Sequence, residues 1–242
     1  MSRSTRRVDL TPGYVLHHRP WRDTSRILEV FTREHGRLTL FARGVRGPAA
    51  RLSAVLQPFQ RLLLSWSGRG EAPQLTGAER AAQDSPLPPG SVLAAFYLNE
   101  LLLRLTTRHD ALPELFDHYH GTLERLRSGA ALEPCLRIFE KRLLELLGYG
   151  LDLAAEAASG TPLAPDRYYD FRPGLGLVPA AVPSAQALSG HSLLSLARES
   201  LSGTRELEDA RRLLQAALGA CLEGRPLSTR AVAKSMKRRA VP

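Results

Sequence analysis

The residues best equipped to bind something lie between Arg37 and Gly47. There Arg37, Thr39, Phe41 and Arg43 alternate with Leu38, Leu40 and Ala42. Alternation of this kind gives a strand with an apolar face and an opposite face carrying one aromatic ring between two guanidinium groups. Arg46 and Arg51 extend the positive charge into a glycine-punctuated loop. An aromatic among arginines is a surface that stacks bases and neutralises phosphates. The same pattern also suits a half-buried strand with a solvated outer face, and alternation leaves Phe41 undecided between stacking a ligand and packing on a neighbour.

Bond-making chemistry has no comparable signature. There is no glycine-rich loop ending in Gly-Lys-Ser/Thr, and Gly174-Leu175-Gly176 lacks the third glycine of a dinucleotide site. No Gly-x-Ser-x-Gly elbow occurs. His17 and His18 are adjacent and point to opposite faces of a strand. His118 and His120 diverge on a helix, so His118 with Asp117 and Asp110 reads as solvated rather than as a metal site. These observations favour a binding protein over an enzyme, with no cofactor and no metal.

The elements that must position the arginine-rich strand follow from the pattern around it. Tyr14–His18, Arg26–Thr32, Arg37–Ala42, Gln57–Trp66 and Ala72–Ala78 read as five short strands, with turns at Arg19–Asp23, Glu34–Gly36 and Gly68–Gly70. Residues 1–11 read as a basic arm. Five strands in so short a span suggest a small closed barrel, with the OB-fold as leading candidate and an SH3-like barrel as alternative. From Asp84 to Gly90 the composition changes, and helical periodicity follows over 91–107, 113–127 and 133–147. Residues 151–183 read as loop, with a short apolar segment at Tyr168–Phe171. Helices resume at 184–200, 204–222 and 226–239, with Thr204 as an N-cap. The expected fold is therefore α+β, an N-terminal five-stranded OB-fold barrel followed by an all-helical domain with a loop-rich insertion. The boundaries are 1–82, 83–150, 151–183 and 184–242.

The net charge of +9 points to an anionic partner. Its distribution is more informative than its size. Residues 1–80 carry 14 Arg against 6 acids, residues 81–223 carry 13 basic against 18 acidic groups, and residues 224–242 carry 6 basic groups and no acid. The positive charge is segregated to the two ends. The terminal cluster Lys234, Lys237, Arg238 and Arg239 also suits the macrodipole at a helix C-terminus, so direct contact with nucleic acid and simple helix stabilisation both stand. Cys135 and Cys221 are distant and sit in apolar helical contexts, as buried free thiols do in a reducing compartment. With no secretory signal and no apolar run of membrane-spanning length, a cytoplasmic location is expected, at the nucleoid if the partner is DNA.

Nine short segments in fixed order carry a resemblance: 14–25, 31–37, 41–46, 56–59, 68–71, 97–102, 136–140, 147–149 and 224–228. Through them the chain resembles the RecO family of bacterial recombination mediators. The resemblance implies an OB domain, a helical domain, and binding of single- and double-stranded DNA with annealing of complementary strands. It further implies cooperation with RecR, binding of the acidic C-terminal tail of single-stranded DNA-binding protein (SSB), and help in loading RecA on gapped DNA. An OB-fold RNA-binding or nucleic-acid-processing factor is the alternative.

Many members bind zinc through four cysteines, but Leu151–Gly160 contains none, and two cysteines cannot make a four-sulfur site. Packing of Leu163, Tyr168, Tyr169 and Phe171 is expected to hold that region instead. The expected DNA contacts are Arg37, Phe41, Arg43, Arg46 and Arg51, with Arg19, Arg22, Arg61 and Arg69 on adjacent strands and turns. Trp21 shares the ambiguity of Phe41. A tail peptide with a terminal carboxylate needs an apolar slot beside a cation, which points to Arg137, with Lys141 and Arg104 as further candidates. For Arg137 a solvated face paired with Glu133, Glu140 or Glu145 is equally compatible.

Overall fold

The computed structural model describes residues 7–45, 51–82, 84–181, 184 and 186–239, apart from the side chains of Arg51 and of 237–239. The chain forms two compact units, Met1–Leu123 with Ser228–Pro242, and Glu124–Leu227.

The first unit is built on a closed barrel of five strands: β1 (Arg7–Trp21), β2 (Ser25–Thr32), β3 (Gly36–Ala42), β4 (Leu62–Ser67) and β5 (Gln74–Arg80), in the order β1-β2-β3-β5-β4. This is the OB-type barrel expected. Strand β1 is longer than its pattern suggested, because it serves two partners. Arg7–Gly13 pairs with β4 and Gly13–Trp21 pairs with β2. Gly13 sits where the two ladders meet. A Cβ there would lie 2.8 Å from a Leu64 methyl and 3.1 Å from one of Thr32, so the close approach needs glycine. Leu28, Val30, Leu38, Leu40, Leu62 and Leu64 fill the barrel. A five-residue helix, α1 (Arg51–Val55), brings Leu52 and Val55 against that core. It is too short to show in the sequence as a helical period.

Helices α2 (Pro89–Leu105) and α3 (Pro113–Arg127) follow. Up to Leu123, α3 belongs to the first unit, and there Phe116 and Tyr119 pack on Tyr14 and Phe31 of the barrel's outer face, with ring centroids 5.1–6.4 Å apart. All four rings are buried, and such pairs add about 0.5–1.5 kcal/mol each beyond their burial. Asn99 donates to the Leu16 carbonyl at 2.9 Å and accepts from the Tyr119 hydroxyl at 2.6 Å. The last helix, α7 (Ser228–Arg239), is held by Glu100. That carboxylate accepts from the Ser228 N–H (2.8 Å), the Thr229 N–H (2.9 Å) and the Thr229 hydroxyl (2.7 Å).

In the second unit, α4 (Leu132–Leu146), α5 (Gly190–Ala197) and α6 (Thr204–Cys221) pack together. Residues 151–183 are not only loop. They hold the hairpin β6 (Tyr168–Arg172) and β7 (Gly176–Pro179), completed by β8 (Leu188–Ser189) in the order β7-β6-β8. Helix α5 consequently starts at Gly190 rather than near Ser184. Tyr169 and Leu163 are buried, Phe171 is half-buried and Tyr168 is exposed. Thr204 is the first residue of α6 and not its cap. Capping is done by Glu206, which reaches back to the N–H groups of Ser202 (2.8 Å) and Gly203 (2.9 Å). Among the described residues no three His, Cys, Asp or Glu side chains converge, and no helix is long and apolar enough to cross a membrane.

Candidate nucleic-acid interface

Strand register decides which of the candidate side chains meet. Arg19 pairs with Ile27 and Ile27 with Phe41, so these three form one row across β1, β2 and β3. Directly paired residues point to the same side of a sheet. Trp21 pairs with Ser25 one step further out, and Arg43 follows Phe41 at the same period. Since Leu28, Leu40 and Ala42 fill the barrel, the side bearing Arg19, Trp21, Phe41 and Arg43 is the outer one.

The two aromatics on this face each carry an arginine. The Arg43 guanidinium lies 5.6 Å from the Phe41 ring centre, and that of Arg19 lies 5.7 Å from the Trp21 ring. Arg19 and Arg43 are exposed, Trp21 is 40% exposed, and Phe41 is half-buried. Cation–π contact at this range is worth about 0.5–1 kcal/mol at an exposed site and keeps the guanidinium beside the ring. Each pair thus presents a stacking plane with a cation at its edge. Two turns frame the face. The β1–β2 turn brings exposed Arg22, in a left-handed conformation (φ 51°), together with Asp23. The β4–β5 loop brings exposed Arg69 and Glu71, and it is tied to the face by the Phe41 N–H, which donates to the Pro73 carbonyl at 2.9 Å. Arginine outnumbers carboxylate among these described groups, four to two.

Arg37 corrects the expectation drawn from alternation. It is on the same outer side as Phe41, but the end of α2 seats on that part of the face. Its guanidinium donates to Glu29 (3.1 Å), to the Thr106 hydroxyl (3.1 Å) and to the Thr106 carbonyl (2.7 Å). Glu29 also accepts from Thr39 (2.8 Å) and Arg108 (2.6 Å). Arg37 is therefore a tie between barrel and helix, with a donor from each of its three guanidinium nitrogens engaged within the fold. The outer face is divided: the row Tyr14, Phe31, Arg37 lies under helices, and the rows of Arg19 and Trp21 lie open.

Arg61 does not join the open group either. It precedes β4 at the end where Leu62 pairs with Gly13, its N–H donates to Asp84 (3.1 Å), and its charge acts on Asp117. Arg46 and the side chain of Arg51 lie outside the described residues. Sequence reasoning passed over Arg26, which is half-buried at the α1 end of the barrel and donates to Ser53 at 3.1 Å. His18, beside it, is held below the usual imidazole range by burial, then by the charge of Arg26. His17 and His18 diverge, one exposed and one half-buried.

The cations proposed for a tail peptide fall in different units. Arg104 belongs to the first, 3.8 Å from Glu100. Arg137 and Lys141 belong to the second. Neither is on a solvated face: each is only 7% exposed. Arg137 pairs with fully buried Glu140 at 2.9 Å, and its Nη1 has no hydrogen-bond partner. Lys141 is held between Glu145 (3.0 Å) and Glu199 (3.1 Å). Burial pushes Glu199 up, but Lys141 and Arg142 outweigh it and hold the carboxyl below its ordinary value. Cys135 and Cys221 are free, and burial pushes both thiols up, against metal-binding thiolates.

Comparison with known proteins agrees with this architecture. The family model described as Recombination protein O N terminal matches residues 8–83, and that described as Recombination protein O C terminal matches residues 90–231. DNA repair protein RecO of Methylococcus capsulatus is 44% identical over 229 residues, covering 95% of this chain and 94% of the relative. The protein of the same name from Nitrosococcus oceani is 42% identical over 234 residues, covering 96% and 95%. That of Ralstonia nicotianae is 42% identical over 234 residues, covering 96% and 86%.

Proposed function

The chain belongs to the RecO family of DNA repair and recombination proteins, and from that premise we propose that it is a non-enzymatic mediator. It binds single- and double-stranded DNA, anneals complementary strands, and with RecR helps to load RecA on gapped DNA coated by SSB. The observation that carries this reading is the pair of arginine-capped rings, Arg19 on Trp21 and Arg43 on Phe41, on the open end of the barrel face. Bases stack on the rings while Arg19, Arg22, Arg43 and Arg69 screen phosphates. Annealing then needs only that two backbones be screened together while the bases stay able to pair. The basic segment 224–242 is suited to the second strand.

In the second unit, Arg137 is the proposed partner for the terminal carboxylate of the SSB tail. Its support is a buried cation with one N–H group left without a partner, which a carboxylate would satisfy strongly. Lys141 and Arg104 are the further candidates. Replacing the pair together, as R137M/E140Q, avoids leaving one charge buried; loss of tail-peptide binding with unfolding unchanged is expected, and undiminished binding removes Arg137.

The decisive experiment is annealing of SSB-coated complementary strands without ATP and in the presence of a chelator. The protein is expected to accelerate it, and the F41A/R43E variant to lose most of that acceleration. No acceleration by the unaltered protein would overturn the mediator reading.

A further inference from the structure

Beside the open face, the barrel wall contains a cavity. Strand β3 is bonded to β5 only where Phe41 meets Gln74, so the earlier part of β3 stands apart from the β4–β5 loop. The gap has a volume of about 540 Å³, well inside the range of small-molecule sites. Its apolar lining comes from Val8, Leu38, Trp66 and Pro73. His35 stands edge-on to Trp66, with ring centroids 5.2 Å apart and planes at 82°. Arg69 and His109 bring basic groups to the lining, against one carboxylate, Glu34.

We propose that this cavity receives one unstacked base of a single strand, with the adjoining phosphate at Arg69. The inference rests on the DNA-binding reading above and extends it from a surface to a slot. Three features select that occupant. Aromatic and apolar walls suit a flat heterocycle better than a charged or branched group. Arg69 puts a fixed cation in the lining, and His35 and His109 bring ring nitrogens that can hydrogen-bond a base edge, so the occupant combines a polar heterocycle with an anionic group. The cavity also adjoins the stacking face, because Pro73, which lines it, accepts the Phe41 N–H. A strand stacked on Phe41 can therefore turn its neighbouring base inward.

Trp66 reports directly on occupancy. The chain has two tryptophans, so W21F leaves Trp66 as the sole emitter. In full-length W21F, deoxyadenosine monophosphate is expected to quench or shift the emission saturably, and inorganic phosphate alone to leave it unchanged. Adding H35A or R69A should each weaken the nucleotide about tenfold, which is about 1.4 kcal/mol. Adding F41A/R43E should weaken a short oligo-dT but not the mononucleotide. A silent Trp66 with normal oligo-dT binding would overturn the slot and leave the DNA reading standing. Failure of both ligands would remove both. A response to N-acetyl-phenylalaninamide without one to the nucleotide would assign the cavity to a protein side chain and overturn the proposal. So would unchanged nucleotide affinity in both H35A and R69A.

Discussion

Arg37 and Arg43 lie six residues apart on the same side of one strand, yet their replacement by alanine should have opposite effects. Arg37→Ala removes a guanidinium only 13% exposed, with an ion pair to Glu29 at 3.1 Å and two donors on Thr106. All three bonds share the charged guanidinium, and hydrogen bonds to charged groups contribute about 1.5–3 kcal/mol each. Glu29 keeps Thr39 and Arg108, so it is not left unpaired. The loss is set at about 3 kcal/mol, below the simple sum, because bonds sharing one guanidinium are not additive and water enters the space it leaves. For a chain of this length that corresponds to a fall in Tm of about 6–12 °C. Arg43→Ala removes an exposed group and should cost no more than about 1 kcal/mol of stability, the worth of its contact with Phe41. Its effect is on binding: the slope of log affinity against log salt for single-stranded DNA should shrink by about 0.7 if one phosphate contact is lost. Thermal unfolding and fluorescence anisotropy across a salt series separate the two. An Arg37→Ala protein with unchanged Tm and a reduced salt slope would refute the division of the barrel face. So would an Arg43→Ala protein with an unaltered slope.

Three further outcomes follow from the same contacts. In Glu100, burial pushes the carboxyl up, but the N–H and hydroxyl of Thr229 and the N–H of Ser228 outweigh it and hold the group below its ordinary value. E100Q should therefore loosen α7 by about 1–2 kcal/mol, as loss of a helix cap does, seen as faster amide exchange over 228–239; unchanged exchange would show that α7 is held by other contacts. The carboxyl of Glu206 is lowered to about 2, first by the Gly203 N–H and then by that of Ser202, with Ser195 and His191 adding to it. A depressed acid contributes stability above its unfolded value near 4.5 that is lost as pH falls toward 2. E206Q should flatten the acid limb of the unfolding curve in that window, and an identical acid limb would count against it. Metal analysis of the purified protein should find no stoichiometric zinc, and one zinc per chain would contradict the reading of residues 151–183.

Much of this molecule was legible in local pattern. Alternation over residues 37–43 correctly placed Leu38, Leu40 and Ala42 inside and Phe41 outside. Pro113 and the following period gave α3 its bounds, because proline is well suited to the first helical turn and the apolar stripe ran unbroken. The five strands, the change of period near residue 84 and the segregation of charge were enough for the fold class. Local pattern did not reveal that β1 starts at Arg7, because its first half alternates against β4 and not against its hairpin neighbour. Nor did it reveal α1, which is shorter than two helical turns.

The proposed binding face shows the limit most clearly. A period of two tells which side of a strand a residue occupies, but not what another element lays on that side. Arg37, Phe41 and Arg43 were equivalent by spacing. The end of α2 covers the first, and register sets Arg19 and Trp21 beside the other two. Arg137 was equivalent to any arginine on a helix until packing buried it against Glu140. Residue type and period are properties of the chain itself, so the sequence alone determined the strand-rich first part, the longer helices and the supply of arginine. Exposure and partnership depend on contacts between segments far apart in the chain, so only the tertiary structure decided which arginines hold the fold together and which remain available to a ligand.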